Sequence, residues 1–250
     1  MAALGAEAGR MHVAPQPLLC ELHAHSTWSD GALDIPALVD LYGSAGFDVL
    51  AVTDHVLLPQ LGESRSISDS NYGAYLEQLE AEAERAAALY RLLLIPGLEL
   101  TDDSIDARRG AHALALGIRS FVGLVDGLDD ALATARNEGA ALVAAHPYTL
   151  AASAGAARTT ARFAEEPDWA AETVDRFEIC NRHDFFEWVA RARLPVVASG
   201  DFHRVEHLAT WKTLVPAEKS EPAVVDYLRS RGPVSLTLIE PTRARLADAA

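Results

Sequence analysis

Residues 49–55 read Val49-Leu50-Ala51-Val52-Thr53-Asp54-His55, an apolar, β-branched run of buried-strand type that ends abruptly in an acid and an imidazole. The same grammar recurs along the chain. Leu18–Leu22 runs into His23-Ala24-His25, Ala141–Ala145 into His146-Pro147, and Pro195–Ser199 into Gly200-Asp201-Phe202-His203. Leu92–Ile95 continues through Pro96-Gly97 into Leu98-Glu99-Leu100, and Ala111–Ile118 opens as Ala111-His112. Between these runs lie helical patterns. Asp34 offers an N-cap and Pro36 a first turn, and Leu38, Val39 and Tyr42 keep helical spacing until Gly46. Tyr72–Tyr90 repeats apolar residues at steps of three and four, and further helices are predicted over Asp126–Glu138, an Ala-rich stretch at about 151–165, Asp184–Arg193 and Glu221–Arg231. Phe177–Cys180 and Val234–Ile239 complete the strands, and residues 57–71 and 102–110 read as loops. Alternating β and α units with buried strands predict an α/β fold with a parallel sheet, most economically closed into a barrel.

Composition narrows the function classes. Hydrophobic residues make up 50% of the 250, enough for a full core, and the formal net charge is −15. Such an acidic chain lacks the basic stripe that grips long nucleic acid, though a small anionic substrate stays open once metal ions invert the local field. Cys20 and Cys180 lie inside strand-like runs and read as small core residues, so no disulfide framework points to an oxidising compartment. Residues 1–17, Ala- and Gly-rich with Pro15 and Pro17, read as a flexible leader ahead of a single barrel domain over 18–250. No apolar run is long enough to span a bilayer, and by elimination a cytoplasmic protein without membrane partners is expected.

The residues at the run ends suit metal. His23 and His25, one residue apart on a strand, point to one face as a chelating pair, and Gly200-Asp201-Phe202-His203 repeats that spacing. His55 reads as a ligand, with Asp54 beside it as a supporting or substrate-orienting group. Asp30 in Ser29-Asp30-Gly31 alone would be a turn residue, and His112 alone a core histidine. Glu99 interrupts an apolar segment, where an unpaired buried carboxylate is expensive, so a cation is expected near it. His146 precedes Pro147, which holds it extended at a strand mouth. Neutral imidazoles with carboxylates suit zinc, manganese or iron.

As an ordered set, the His-x-His pair, Asp30, Thr53-Asp54-His55, Glu99, His112, Ala145-His146-Pro147 and Gly200-Asp201-Phe202-His203 resemble the PHP (polymerase and histidinol phosphatase) family of metal-dependent phosphoesterases over about residues 18–205. The resemblance implies a distorted (β/α)7 barrel with three divalent ions at its C-terminal face. It assigns His23, His25, Glu99 and Asp201 to one ion, Glu99, His112 and His146 to a second, and Asp30, His55 and His203 to the third. Glu21 departs from the pattern, standing where many members carry Asp before Leu-His. Only residues 113–145 separate His112 from His146, room for one helix and strand and no extra lid, which weakens transfer of the substrates of relatives that have one.

The implied chemistry is hydrolysis of a phosphate ester of a small molecule or nucleotide by a metal-bridged hydroxide, with His203 or Asp54 assisting proton transfer. Arg182 and the adjacent His183 are the foremost substrate-binding residues, with Arg65 and Arg109 also placed there. Arg108, Arg158 and Arg204 are further cations to consider, and Trp28 either walls the site or packs. Two other readings stay open. One is C–N bond hydrolysis of the amidohydrolase type, disfavoured because neither Lys212 nor Lys219 sits at a strand end to become a carbamylated ligand. The other is an inactive binding module, disfavoured because all nine ligand positions are filled.

Overall fold

The computed structural model describes residues 16–58, 65–153 and 160–240. Its strands are β1 (Leu18–Glu21), β2 (Val49–Val52), β3 (His55–Leu57), β4 (Leu93–Asp102), β5 (Ala111–Leu116), β6 (Ala141–Ala145), β7 (Arg176–Asn181), β8 (Asp184–Phe185), β9 (Val196–Ser199), β10 (Trp211–Val215) and β11 (Ser235–Leu238). The helices are α1 (Ile35–Ser44), α2 (Asp69–Tyr90), α3 (Leu128–Asn137), α4 (Leu150–Ser153), α5 (Arg162–Glu165), α6 (Pro167–Thr173), α7 (Glu187–Ala192) and α8 (Glu221–Arg229). The leader reading falls almost wholly outside the described residues.

One mixed sheet follows the order β11-β10-β1-β2-β4-β5-β6-β7-β8, with β3 on β4 and β9 on β7. It curls until the end of β9 meets the end of β1. A parallel bridge joins Ala24 to Phe202, the Phe202 amide donates to His23 O at 3.0 Å, and the His25 amide donates to Phe202 O at 2.9 Å. Lower down, the Thr213 hydroxyl of β10 ties the seam, accepting from Ala198 N and donating to Ala198 O, both at 2.8 Å.

The strand pattern predicts a parallel sheet, but the observed sheet is mixed. β5 runs antiparallel to both β4 and β6. The physical reason lies in residues 103–110: a parallel return needs a crossover of roughly a dozen residues or more, and this connection is shorter and carries no helix. Strict (β/α) alternation therefore fails at β4–β5. The reversal also explains why His112 lies at the start of its strand whereas His23, His146 and Asp201 lie just past the ends of β1, β6 and β9, since the start of a reversed strand lies at the same rim as its neighbours' ends.

Three other expectations change. β10 is an extra strand, hidden in the sequence because Lys212 interrupts its apolar pattern. The helix expected over about 151–165 is not continuous: α4 covers Leu150–Ser153, Thr160 and Ala161 are not helical, and α5 and α6 follow from Arg162, while residues 154–159, Arg158 among them, lie outside the described residues. The helix expected from Asp184 starts at Glu187, because Asp184–Phe185 pair back on β7.

Alternate strand residues face two cores. Leu50, Val52, Leu94, Leu142 and Ala144 meet α1, α2 and α3 outside, while Cys20, Val49, Ile95, Leu114, Val143 and Val197 fill the inside. Val224, Val225 and Leu228 of α8 plug the inner core. Arg176, the first residue of β7, fixes α8 there by donating to Leu228 O at 2.8 Å and Gly232 O at 2.7 Å. That plug occupies the N-terminal end of the sheet and leaves the opposite end for chemistry. Asp34 caps α1 as expected, accepting from Ala37 N at 2.9 Å. Cys20 and Cys180 are buried free thiols. None of the described helices is long and apolar enough to cross a membrane.

Candidate metal centre

Register brings the polar strand ends to one level. His55 pairs with Glu99 between β3 and β4, Thr101 with His112 between β4 and β5, and His112 with Ala145 between β5 and β6. All nine expected ligand residues fall into four overlapping groups whose donor atoms lie within 4.8 Å of one another. The groups are His23-His25-Glu99, Glu99-His112-His146, His23-His146-Asp201, and His25-Asp30-His55-His203.

Glu99 stands at the centre and is fully buried. Its Oε1 lies 3.2 Å from His112 Nδ1 and 3.1 Å from His146 Nε2. Its Oε2 faces the other side, 2.8 Å from His55 Nδ1, 3.4 Å from His25 Nε2 and 3.5 Å from His23 Nε2. None of those three is aligned as a hydrogen bond, and Oε2 has no hydrogen-bond partner. His203 Nε2, 3.0 Å from Asp30 Oδ1, is likewise buried without one. His23 Nε2 and His25 Nε2 point at each other across 3.0 Å. Converging lone pairs and two orphaned buried atoms are what a cation-binding cluster presents, so the donor set fits divalent metal.

Electrostatics of the metal-free cluster agree. Burial works to lower His55, but the Glu99 and Asp30 carboxylates override it and raise the imidazole to about 10. His203 is raised to about 9, where burial is outweighed by Asp201 and Asp30. Burial and the neighbouring His55 and His203 charges push His25 down to about 3, against the pull of Asp201 and Glu99. Burial opposes ionisation of Glu99, yet His55 and His23 hold its carboxyl well below the usual range. Without metal, the negative charge is thus neutralised by protons shared among imidazoles.

Each side chain is held by identifiable contacts. The turn after β1 is fastened by Asp54, which accepts from Ser26 N at 2.8 Å, Ser26 Oγ at 2.7 Å, Ser29 N at 3.1 Å and Ser29 Oγ at 2.5 Å. A Cβ on Gly31 would lie 2.1 Å from His25 O, so only glycine lets the turn close beside Asp30. His146 is not extended as its place before Pro147 predicts: it (φ 28°) and Asp201 (φ 43°) adopt the left-handed backbone, a strain of roughly 1–3 kcal/mol each that the surrounding contacts sustain.

The other expected residues divide. Asp54 is consumed by the serine turn and acts as its brace, whereas His203 is partly exposed at the rim. Arg182 reaches the centre: its Nη2 is 3.0 Å from Asp201 Oδ2 and 2.8 Å from His203 Nδ1, and its Nε donates to Asp201 O at 3.0 Å. His183, Arg65, Arg108, Arg109 and Arg204 are exposed. Trp28 packs, edge-on to Tyr75 and donating to Gln78 Oε1 at 2.6 Å.

Sequence reading misses the supports. Asp103 contacts His112 Nε2 at 2.8 Å, and the His203 amide donates to His207 Nδ1 at 3.1 Å. Glu178 is fully buried and receives His23 Nδ1 at 2.9 Å, His146 N at 2.6 Å, Asn181 Nδ2 at 2.7 Å and the Ser199 hydroxyl. Glu21 forms a buried ion pair with Lys212 at 2.8 Å, which removes Lys212 from any role as a metal ligand. The available signal was a single carboxylate inside each of two apolar runs, Leu18–Leu22 and Phe177–Cys180.

No family profile and no curated protein matches the chain by sequence. Solved structures do match in fold. A two-domain protein from Bacteroides vulgatus, containing a predicted PHP-like metal-dependent phosphoesterase, superposes with a TM-score of 0.65 at 22% identity over 94% of this chain and 71% of its own. A candidate metal-dependent phosphoesterase from Bifidobacterium adolescentis matches at a TM-score of 0.50 and 15% identity, over 75% of this chain and 88% of its own. An amidohydrolase from Chromobacterium violaceum, with bound sulfate and no metal, matches at 0.50 and 17%, over 74% and 87%. The chain therefore has the fold of the PHP-like proteins that its motifs resemble.

Proposed function

We propose that the chain is a metal-dependent phosphoesterase that hydrolyses a phosphate ester of a small molecule or nucleotide at a centre of three divalent ions. The observation that carries the reading is the split of Glu99, one oxygen facing His112 and His146, the other facing His23, His25 and His55 with no hydrogen bond. His23, His25, Glu99 and Asp201 would hold one ion, Glu99, His112 and His146 a second, and Asp30, His55 and His203 a third, drawn from zinc, manganese or iron. Bound divalent ions supply a water acidic enough to ionise near neutral pH and positive charge beside the phosphoryl oxygens.

The protein's own residues do the rest. Arg182, anchored on Asp201 at the rim, offers a guanidinium to a phosphate oxygen, and His183, Arg65 and Arg109 are exposed cations available to the remainder of a small phosphorylated substrate. Of the two residues considered for proton transfer, His203 would serve as a ligand, its Nε2 toward Asp30 and its Nδ1 toward Arg182 and Asp201. Asp54 keeps His25 and Asp30 in place through the serine turn.

The test combines metal analysis with hydrolysis assays on an aryl phosphate, its diester, a nucleoside bisphosphate, a short oligonucleotide and an aryl amide. Glu99→Gln is expected to abolish turnover and lower metal content. Retained turnover removes the bridging role. A metal-replete protein that cleaves only amides supports the amidohydrolase alternative, and one that cleaves nothing supports the binding-module alternative.

A further inference from the structure

Glu178 lies on β7 beneath the cluster and touches no open space. Four donors converge on its two oxygens. Oε1 receives His23 Nδ1 at 2.9 Å and the Ser199 hydroxyl, and Oε2 receives His146 N at 2.6 Å and Asn181 Nδ2 at 2.7 Å. A carboxylate is the only side chain of this shape that accepts everywhere and donates nowhere. While Oε1 accepts from Nδ1–H, the lone pair of His23 is left on Nε2, the atom that faces His25, Glu99 and Asp201. We infer that Glu178 is a positioning residue that selects which nitrogen of His23 is free to bind metal, while anchoring the backbone of His146 with its second oxygen. The inference rests on the metal reading above.

The four donors make the role separable from shape. Glutamine has the same outline as glutamate but brings an NH2 group. Aimed at the Oε2 position, that group would meet the His146 backbone N–H, which cannot turn to accept. Aimed at the Oε1 position, it meets the Ser199 hydroxyl, which can rotate, and His23 Nδ1, which can give up its proton. The second arrangement moves the His23 proton to Nε2 and blocks the metal face, whereas His146 keeps its acceptor. Aspartate is shorter but still accepts only.

The experiment compares wild type, Glu178→Gln and Glu178→Asp by zinc titration against a chromophoric chelator, with 15N spectra of the histidine rings in the zinc-loaded protein. The isosteric Gln variant is expected to bind one zinc ion about 10- to 100-fold more weakly, the range typical of lost outer hydrogen bonds to a ligand, and to show His23 protonated on Nε2. The Asp variant is expected to lose less, and wild-type His23 to carry its proton on Nδ1. A Gln variant that binds like wild type, an Asp variant weaker than Gln, or wild-type His23 protonated on Nε2 overturns the inference, and the last result stands even if a variant fails to fold. A wild type that binds no zinc refutes instead the metal reading beneath it.

Discussion

Lys212→Met puts the buried ion pair under the site to a quantitative test. Lys212 and Glu21 are both fully buried, with Nζ 2.8 Å from Oε2. Nζ also donates to Thr210 Oγ1 at 2.6 Å and His207 O at 3.2 Å. Methionine keeps an unbranched chain, one atom shorter, but leaves the carboxylate without its cation, a loss of about 3–5 kcal/mol for a buried pair. Glu21 keeps the Tyr42 hydroxyl at 3.0 Å and the amides of Leu22 at 3.1 Å, His23 at 3.2 Å and Gly200 at 2.9 Å. Those four donors place the cost at the low end, about 3 kcal/mol, or a fall in melting temperature of roughly 6–12 °C for a chain of this size. The paired variant Glu21→Leu/Lys212→Met separates two views of the device. Replacing an ordinary buried pair by apolar groups is often neutral. Here it strands three backbone amides, each costing about 1–3 kcal/mol, so the double variant is expected to be less stable than the single one. Thermal and urea unfolding followed by circular dichroism measure both. A single variant melting within about 2 °C of wild type, or a double variant that regains wild-type stability, refutes the reasoning.

Two further outcomes are expected. Because His55 is raised to about 10 and His203 to about 9 in the metal-free protein, their stabilisation is full below the unfolded value of about 6.5 and is lost as pH rises through 9–10. Melting temperature in EDTA should therefore fall over that window, and zinc binding at pH 7 should release protons, read from the buffer dependence of its calorimetric heat; a flat melting profile with no proton release contradicts the charge assignment. Gly73 lies inside α2 with nothing within 4 Å of an added Cβ, so Gly73→Ala should stabilise by about 0.5–1 kcal/mol in urea unfolding, and a loss of stability would show strain at that position.

How much was legible follows from where the physics is local. Val49–His55 announces a buried strand with a reactive end because its apolar run and its polar stop are contiguous. The His23–His25 spacing and the Asp34 cap are likewise settled within a few residues. Lys212, by contrast, disguised β10, since a lysine in a strand reads as surface until its partner nearly the whole chain away is known. The reversal of β5 was readable in principle from the short connection at 103–110, but alternation of strands and helices argued for a parallel sheet.

The sequence by itself determined the inventory: which strands are buried, which residues carry imidazole and carboxylate at their ends, and the resemblance that those ordered motifs carry. Only tertiary structure decided the arrangement. It set the two faces of Glu99, and the pairing of Glu178 with His23 and of Glu21 with Lys212. Those outcomes depend on register and on charge pairs between strands far apart in the chain. A buried charge shows in the sequence only as a cost, and the partner that meets the cost is found in space.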